Sequence, residues 1–228
     1  MKYCIKIQGG LGNQIFQWAQ GIFMESLGAK ICYDISFYSR NNGSEIIPNR
    51  DFELDKILIE PISKYSRHEA KLIEGYWQTN HNIDSVENTI LKKIKPCKVE
   101  TKKDSCSIHV RRGDYTKLSY IYHNLNKDYY IKSLETVNPS GPVYVFSDDI
   151  YWCKKNLSIT EAIYPEGNSV TEDFNLMRSC NHNIISNSTF SWWAAFLNRN
   201  EDKKIIQPSV WFKNESQGKL RKPSWQTI

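Results

Sequence analysis

The chain reads as an α/β protein in two halves, each built from short apolar strands alternating with helices. Three observations carry this. The first thirty-odd residues run strand, glycine turn, helix, strand; residues beyond 100 read as five strands separated by four helices; and the composition is that of a chain with a core to bury. Hydrophobic residues make up 40% and charged residues 24% of 228 positions, which suits one large α/β domain or two of ~100 residues each.

The opening strand is "KYCIKIQ" (2–8), followed by "GGLGNQ" (9–14) and "IFQWAQGIFMESLG" (15–28). In the last of these Ile15, Ala19, Ile22, Phe23 and Leu27 recur at helical spacing, and Gly28 is a natural stop. "AKICYD" (29–34) is a second strand. "RNNGSEIIPNRDFELD" (40–55) reads as loop, and "HEAKLIEGYWQTNHNI" (68–83) as a helix end running into an aromatic strand or loop. The lysine-rich "LKKIKPCKVETKK" (91–103) has a single acid and reads as a solvated linker, with the boundary between halves near Pro96.

Beyond it the expected strands are "SCSIHVR", "PVYVFSDD", "EAIYP", "HNIISNS" and "KKIIQP". The expected helices are "KDYYIKSLETV", "DIYWCKKNL", "TEDFNLMRSC" and "TFSWWAAFLN". Strands separated by helices imply a parallel sheet covered on both faces, with ligands at the carboxyl ends of the strands.

The net charge of +5 is mild; it admits a phosphate-bearing ligand or an anionic membrane surface and does not argue for nucleic acid. Six cysteines without a C-x-x-C pair read as reduced thiols of a cytoplasmic protein. Lys2 leads straight into a strand pattern, so no signal peptide is read, and no stretch approaches 18 uninterrupted apolar residues. The five histidines fall singly, so no metal site is expected. Seven tryptophans and thirteen tyrosines exceed what packing alone needs and suit a carbohydrate cleft, although a well-filled core is the stronger account of them.

"HVRRGDY" (109–115) closes a strand with two arginines. A solvated charge run or a chance Arg-Gly-Asp loop is the plain alternative. At the ligand end of a buried strand, however, His109 and Arg111 alternate onto one face and Arg112 onto the other. An arginine fork matches phosphate oxygens, so the pair points to an anionic group, a diphosphate above all. Asp114 follows closely; it is a candidate proton acceptor or simply an arginine's partner.

In "GGLGNQ", Gly10 and Gly12 half-match the dinucleotide fingerprint, whose third glycine is replaced by Ile15, with Asp34 near the ribose-binding position. An NAD-dependent oxidoreductase is therefore the weaker alternative to a tight turn that lets backbone approach a ligand, with Asn13 and Gln14 offering amides at a cleft mouth. "FSDD" (146–149) either holds a divalent cation or, the preferred reading, uses Asp149 to cap the next helix. "SNSTFSWWAAFLN" (186–198) sets Asn187, Ser188, Thr189 and Ser191 at a strand-to-helix turn, where backbone N–H groups and the helix dipole favour a phosphate. Plain capping, with Trp192 and Trp193 in the core, explains the same residues.

Taken together, "GGLGNQIFQWA", "GYWQ", "HVRRGDY", "FSDD", "SNSTFSWWAAFLN" and "IIQPSVWF" resemble, in this order, the bacterial α-1,2-fucosyltransferases of glycosyltransferase family 11. The resemblance implies a GT-B-like fold: two Rossmann-like domains with parallel sheets facing a central cleft. It assigns 1–100 to an acceptor-side domain and 101–228 to a GDP-sugar-binding domain, the last segment being free to return to the first. It implies inverting transfer of L-fucose from GDP-fucose to a galactose-containing, lipid-linked glycan, with no cofactor and no metal. The setting is cytoplasmic, at most in peripheral contact with the inner face of the membrane. It places Arg111 on the β-phosphate, His109 against the nucleotide, Asp173 of "TEDF" on the nucleoside and Ser191 on phosphate. The chain is short for the family between residues 35 and 100, where the acceptor should bind. A non-catalytic GDP-sugar-binding module is the remaining alternative.

Overall fold

The structure is a computed structural model that describes residues 1–39, 43–44, 48–64, 70–213 and 220–228. Parts of the expected loop at 40–55 and of the helix end at 68–70 lie outside the described residues. The chain divides into two compact units, Met1–Pro96 and Cys97–Ile228.

In the first unit, β1 (Lys2–Lys6) leads through Gly9, at φ +80°, into α1 (Leu11–Ser26), and β2 (Lys30–Asp34) follows. Gly28, at φ +86°, lets the chain leave α1, with the Ala29 N–H donating to the Met24 carbonyl. A 3₁₀ turn (Ser36–Ser39), the short α2 (Leu54–Ile57), β3 (Lys71–Ile73) and α3 (Asn80–Lys93) complete the unit. The sheet is parallel in the order β2-β1-β3, with Cys4 opposite Cys32 and Leu72. One correction falls on "GGLGNQ": the turn ends at Gly10, and Gly12, Asn13 and Gln14 already belong to the first turn of α1. Another falls on residues 80–93, which form a helix instead of the loop and linker read there. Only Ile83, Val86 and Ile90 are buried along it, and Val86 breaks its regularity at φ −123°; so thin an apolar stripe, running into lysines, gives little periodic signal.

In the second unit the order is β4 (Cys106–Val110), α4 (Gly113–Lys117), α5 (Lys127–Val137), β5 (Val143–Ser147), α6 (Ile150–Asn156), α7 (Val170–Ser179), β6 (His182–Ile184), α8 (Thr189–Phe196), β7 (Ile205–Gln207) and β8 (Gln226–Thr227). The sheet is parallel throughout, in the order β5-β4-β6-β7-β8. Its centre is Ile108, Val110, Val145, Ile184 and Ile206, covered by Tyr130, Val137 and Cys153. "EAIYP" makes a single parallel bridge, Tyr144 with Ile163, and no strand. Glu161, at φ +57°, cannot extend a pleated strand, and Pro165 lacks the N–H to continue it. The fifth strand is instead β8, so the last segment stays with the second unit.

Buried amides tie the helices to this sheet. Asn198 Nδ2 donates to Asn183 Oδ1 at 2.7 Å, and Asn183 Nδ2 donates to Ser107 Oγ at 2.7 Å and to the Met177 carbonyl at 2.8 Å.

In the first unit, α1 can lie against Tyr33 only because residue 21 is glycine: a Cβ there would sit 2.1 Å from the Tyr33 hydroxyl, which donates to the Trp18 carbonyl at 3.2 Å. Gly21→Ala is expected to lower stability by about 1–3 kcal/mol, seen as a lower urea midpoint with an unchanged m-value.

Candidate active site

In a doubly wound parallel sheet, ligands bind outside the carboxyl ends of the strands where the chain order reverses. Here that point lies between β4, the first strand of the sheet, and β6, since β5 lies to one side of β4 and β6 to the other. Leaving β4 are His109, Arg111 and Arg112; leaving β6 are Ser186, Asn187 and Ser188, which open α8.

His109 is 8% exposed, and its Nδ1 lies 2.8 Å from Ser186 Oγ across this point. Phe190 packs on the imidazole at 5.7 Å between centroids, and Phe174 of α7 packs on Phe190 at 5.4 Å. Burial pushes the His109 pKa down to about 4; Asp148 opposes the shift and Arg111 adds to it. The ring is therefore neutral at pH 7.

The two arginines meet two aspartates because β4 and β5 run in register. Val110 is opposite Ser147, so the next residues of each strand, Arg111–Arg112 and Asp148–Asp149, leave the sheet side by side. Arg111 Nη1 pairs with Asp148 Oδ2 at 2.7 Å, and its Nη2 pairs with Asp114 on the first turn of α4. The guanidinium also lies 5.3 Å over the Tyr115 ring, which stacks on Tyr122 at 3.8 Å. Arg112 Nε pairs with Asp149 Oδ2 at 3.1 Å, its guanidinium lies 4.2 Å over Trp152, and its backbone N–H donates to Asp148 Oδ1 at 2.8 Å. Asp149 also caps α6, accepting from the Trp152 N–H at 3.0 Å. The strand ends before the arginines, at Val110, and carboxylates aim each of them: Asp148 and Asp114 hold Arg111, and Asp149 holds Arg112. Of the readings left open, Asp149 as cap and Asp114 as arginine partner are the contacts made.

The β6–α8 turn is pinned from behind. Asn187 Nδ2 donates to the His123 and Trp211 carbonyls at 2.8 and 2.7 Å, and its own carbonyl accepts from the Tyr115 hydroxyl at 3.2 Å. Ser188 is the N-cap residue of α8 with a side chain that makes no capping bond, and Thr189 opens the helix half-buried. Ser191 is fully buried, and its hydroxyl turns inward to donate to the Ser188 carbonyl at 3.3 Å. Asp173 lies on the first turns of α7, accepting from Asn168 Nδ2 at 3.0 Å; burial raises its carboxyl pKa, Asn168 lowers it and Glu172 raises it.

The remaining sequence candidates belong to the first unit. Gln14 is no ligand-facing amide: it is wholly buried, its Nε2 donates to the Gly9 and Asp51 carbonyls, and its Oε1 accepts from the Glu53 and Leu54 N–H groups. With all four bonding positions used inside the protein, it fastens the 51–54 segment to α1. Asn13 Oδ1 accepts from Gln78 Nε2 at 3.0 Å, and Gln17 Nε2 donates to the Gly75 carbonyl at 3.1 Å, which ties "GYWQ" to the start of α1. Gly10, extended at φ −75°, is the N-cap residue of α1, and Gly12 is buried within the helix.

Residues 46–228 match the sequence model of Glycosyl transferase family 11. The chain belongs to glycosyltransferase family 11. Among similar proteins is the O-antigen biosynthesis glycosyltransferase WbnK of Escherichia coli, 39% identical over 132 residues, 54% of this chain and 44% of that protein. An alpha-1,2-colitosyltransferase of Escherichia coli is 33% identical over 162 residues, 66% of this chain and 53% of that protein. The galactoside 2-alpha-L-fucosyltransferase Sec1 of Mus musculus is 25% identical over an alignment of 236 residues, 86% of this chain and 64% of that protein. The chain thus spans about half the length of its two Escherichia coli relatives.

For this family 11 chain, the sequence reading passed over Asp148 as an arginine partner, Ser186 as the partner of His109, and Tyr115 as the platform of Arg111. The signal for Asp148 was present as "HVRR" and "FSDD", two strand ends carrying opposite charges in pairs; pairing them required knowing that the two strands are neighbours in register.

Two measurements probe this site. Below pH 6.5 an unfolded chain takes up a proton at His109 that the folded site refuses until about pH 4. The stability held by the neutral ring is therefore complete above pH 6.5 and falls as the pH drops toward 4. Urea titrations should show this fall in the wild type and a shallower one in His109→Asn. Second, a double-mutant cycle of Arg111→Gln and Asp148→Asn is expected to return a coupling above about 0.5 kcal/mol; additivity would mean that the pair is not joined in solution.

Proposed function

We propose that the protein transfers L-fucose from GDP-fucose to a hydroxyl of a galactose-containing, lipid-linked glycan, forming an α-1,2 linkage with inversion and without a metal. The observation that supports this most is Arg111, held by two carboxylates and an aromatic face at the reversal point of a parallel sheet, beside a neutral histidine. The colitosyltransferase and fucosyltransferase activities of the relatives support the same class of reaction. In this reading the two units form a GT-B pair, the second holding the nucleotide and the first the acceptor, and the enzyme works in the cytoplasm against the inner face of the membrane in surface-polysaccharide synthesis.

As the bond between the sugar's anomeric carbon and the β-phosphate oxygen breaks, charge collects on GDP while the sugar becomes oxocarbenium-like. Arg111 faces that charge. A guanidinium carries five N–H donors, so single bonds to Asp114 and Asp148 do not exhaust it. A preorganised donor of this kind contributes ~3–4 kcal/mol in comparable sites. Arg112 and the N–H groups opening α8 near Ser188 and Thr189 add to the same field. His109, uncharged, lies against the nucleotide without adding a cation, and Asp173 accepts from the nucleoside. The acceptor oxygen attacks the opposite face of the anomeric carbon as GDP leaves with the electron pair of the broken C–O bond, and the acceptor's proton is released to water. Asp114 enters this scheme as the group that orients Arg111.

The deciding assay is GDP release from GDP-fucose in EDTA, with GDP-mannose, UDP-galactose and a colitosyl donor as comparisons, across galactose-terminated acceptors. Fucose-specific, chelator-resistant release that rises with one acceptor is the expected result. Binding of GDP-fucose without turnover would instead mark a sugar-nucleotide-binding module. Arg111→Lys should lower turnover at least ~100-fold, because an ammonium cannot reproduce the fork; near-normal turnover in that variant would remove Arg111 from the mechanism.

A further inference from the structure

The first unit contains a cavity of about 310 Å³ on the flank of edge strand β2, between the second half of α1, the 59–63 segment and the end of α3. Its floor is apolar: Trp18, Ile22, Tyr33 and Ile62 are each less than 8% exposed. Trp18, Ile22 and Glu25 reach it from one face of α1, spaced four and three apart, while Ile31 and Tyr33 reach it from alternate positions of β2. The floor is built in, because Gly21 admits the Tyr33 ring against α1 and the Tyr33 hydroxyl is fixed on the Trp18 carbonyl. Around the mouth stand five exposed polar side chains, Glu25, Glu60, Ser63, Lys92 and Lys93. Partial burial raises the Glu25 carboxyl pKa, and Lys93 draws it back.

The rim decides what such a cavity takes. Two carboxylates and two ammonium groups cancel, so neither an anionic nor a cationic ligand is favoured. An aliphatic chain would satisfy the floor and the exposed Ile59 but would use none of the rim's donors and acceptors. A sugar ring meets both demands. Its C–H face lies on indole, phenol and aliphatic surface, and its hydroxyls, each at once donor and acceptor, suit a rim that mixes acceptors (Glu25, Glu60) with donors (Lys92, Lys93) and a hydroxyl (Ser63). The volume lies at the lower end of ordinary small-molecule sites and holds one or two such rings.

We propose that this cavity is a second carbohydrate subsite, binding a neutral hexopyranose unit of the glycan apart from the residues proposed to hold the donor. The inference rests on the reading of the protein as an enzyme acting on a glycan, and it deepens that reading by giving the first unit a handhold for the acceptor chain. Binding to a single unit of this kind is weak, with Kd on the order of 1 mM.

The test uses the full chain with ¹⁵N-labelled tryptophan indoles, the Trp18 signal being assigned through Trp18→Phe. Titration with galactose and with a β-galactoside disaccharide should shift the Trp18 indole saturably. Glu60→Ala and Lys92→Ala, both at exposed positions that leave the floor intact, should each weaken this at least about fivefold, while GDP binding measured on the same samples stays unchanged. A Trp18 signal that no sugar moves, that responds equally in both variants, or that answers only to an alkyl alcohol overturns the subsite. A chain that binds GDP with a silent Trp18 has lost this inference alone; one that binds neither GDP nor GDP-fucose has lost the functional reading, and sugar-dependent shifts would still support the cavity by themselves.

Discussion

The parallel register between β4 and β5 is the constraint from which the second unit's site follows. It sets a pair of arginines beside a pair of aspartates at the one edge of the sheet where the backbone ladder stops. A guanidinium left unpaired in so closed a place would be costly, and so would a lone carboxylate; aligned, each removes the other's penalty and fixes its direction. The consequences spread through the neighbouring loops. Gly113 is required because a Cβ there would lie 2.6 Å from Asp148 Oδ2. Asp149, holding Arg112, also starts α6, and the Trp152 whose N–H it accepts supplies the ring beneath Arg112. Asp114, holding Arg111, stands one residue before the Tyr115 that stacks on Tyr122 and reaches the β6–α8 turn. One alignment of two strands thus orders three loops.

The other half of the site is set by hydrogen bonds without net charge. His109 is kept neutral by burial and held by Ser186, while Asn187 fastens the turn to two loop carbonyls. Behind them Asn183 and Asn198 lock β6 to β4 and to the helices. Fixing the turn in this way keeps the N–H groups that open α8 in place before any ligand arrives, and preorganised dipoles of this kind act most strongly where water is scarce.

What could be read in the sequence, and what could not, divides by the range of the interaction. Helices with a dense apolar face, such as 127–137 and 189–196, were legible, as were β4 and β5, because local periodicity determines them. Helix 80–93, with three buried side chains, was not, and "EAIYP" looked like a strand because its apolar content says nothing of Glu161's backbone angle. At the site, His109 and the arginines stood out from their position at a strand end. Their partners did not, since Asp148 lies 37 residues from Arg111 and Ser186 lies 77 from His109. Gln14 shows the converse error. A polar residue in a glycine-rich stretch looks like a ligand group, yet three of its four hydrogen bonds fall on residues 51–54, a segment that only the fold brings near.

Under the proposed reaction the two units would meet anions and neutral sugars on different terms. In the second, fixed carboxylates already balance fixed cations, so the geometry of the arginines is settled by folding, and a diphosphate bound as proposed would meet a fork that need not reorganise. In the first, the glycine-rich opening is stitched by amides bonded within the protein: Gln14 on residues 9 and 51–54, Gln17 on Gln8 and Gly75, Asn13 on Gln78. An acceptor approaching that end of α1, as proposed, would meet amides already bonded within the protein, which suits steric selection better than tight capture. Rigid selection of this sort is strengthened by holding a neighbouring part of the same chain elsewhere, since tethering raises the local concentration of the reacting end without adding contacts to it. The cavity between α1 and α3, apolar beneath and charge-balanced at its rim, is the part of the first unit whose chemistry allows that.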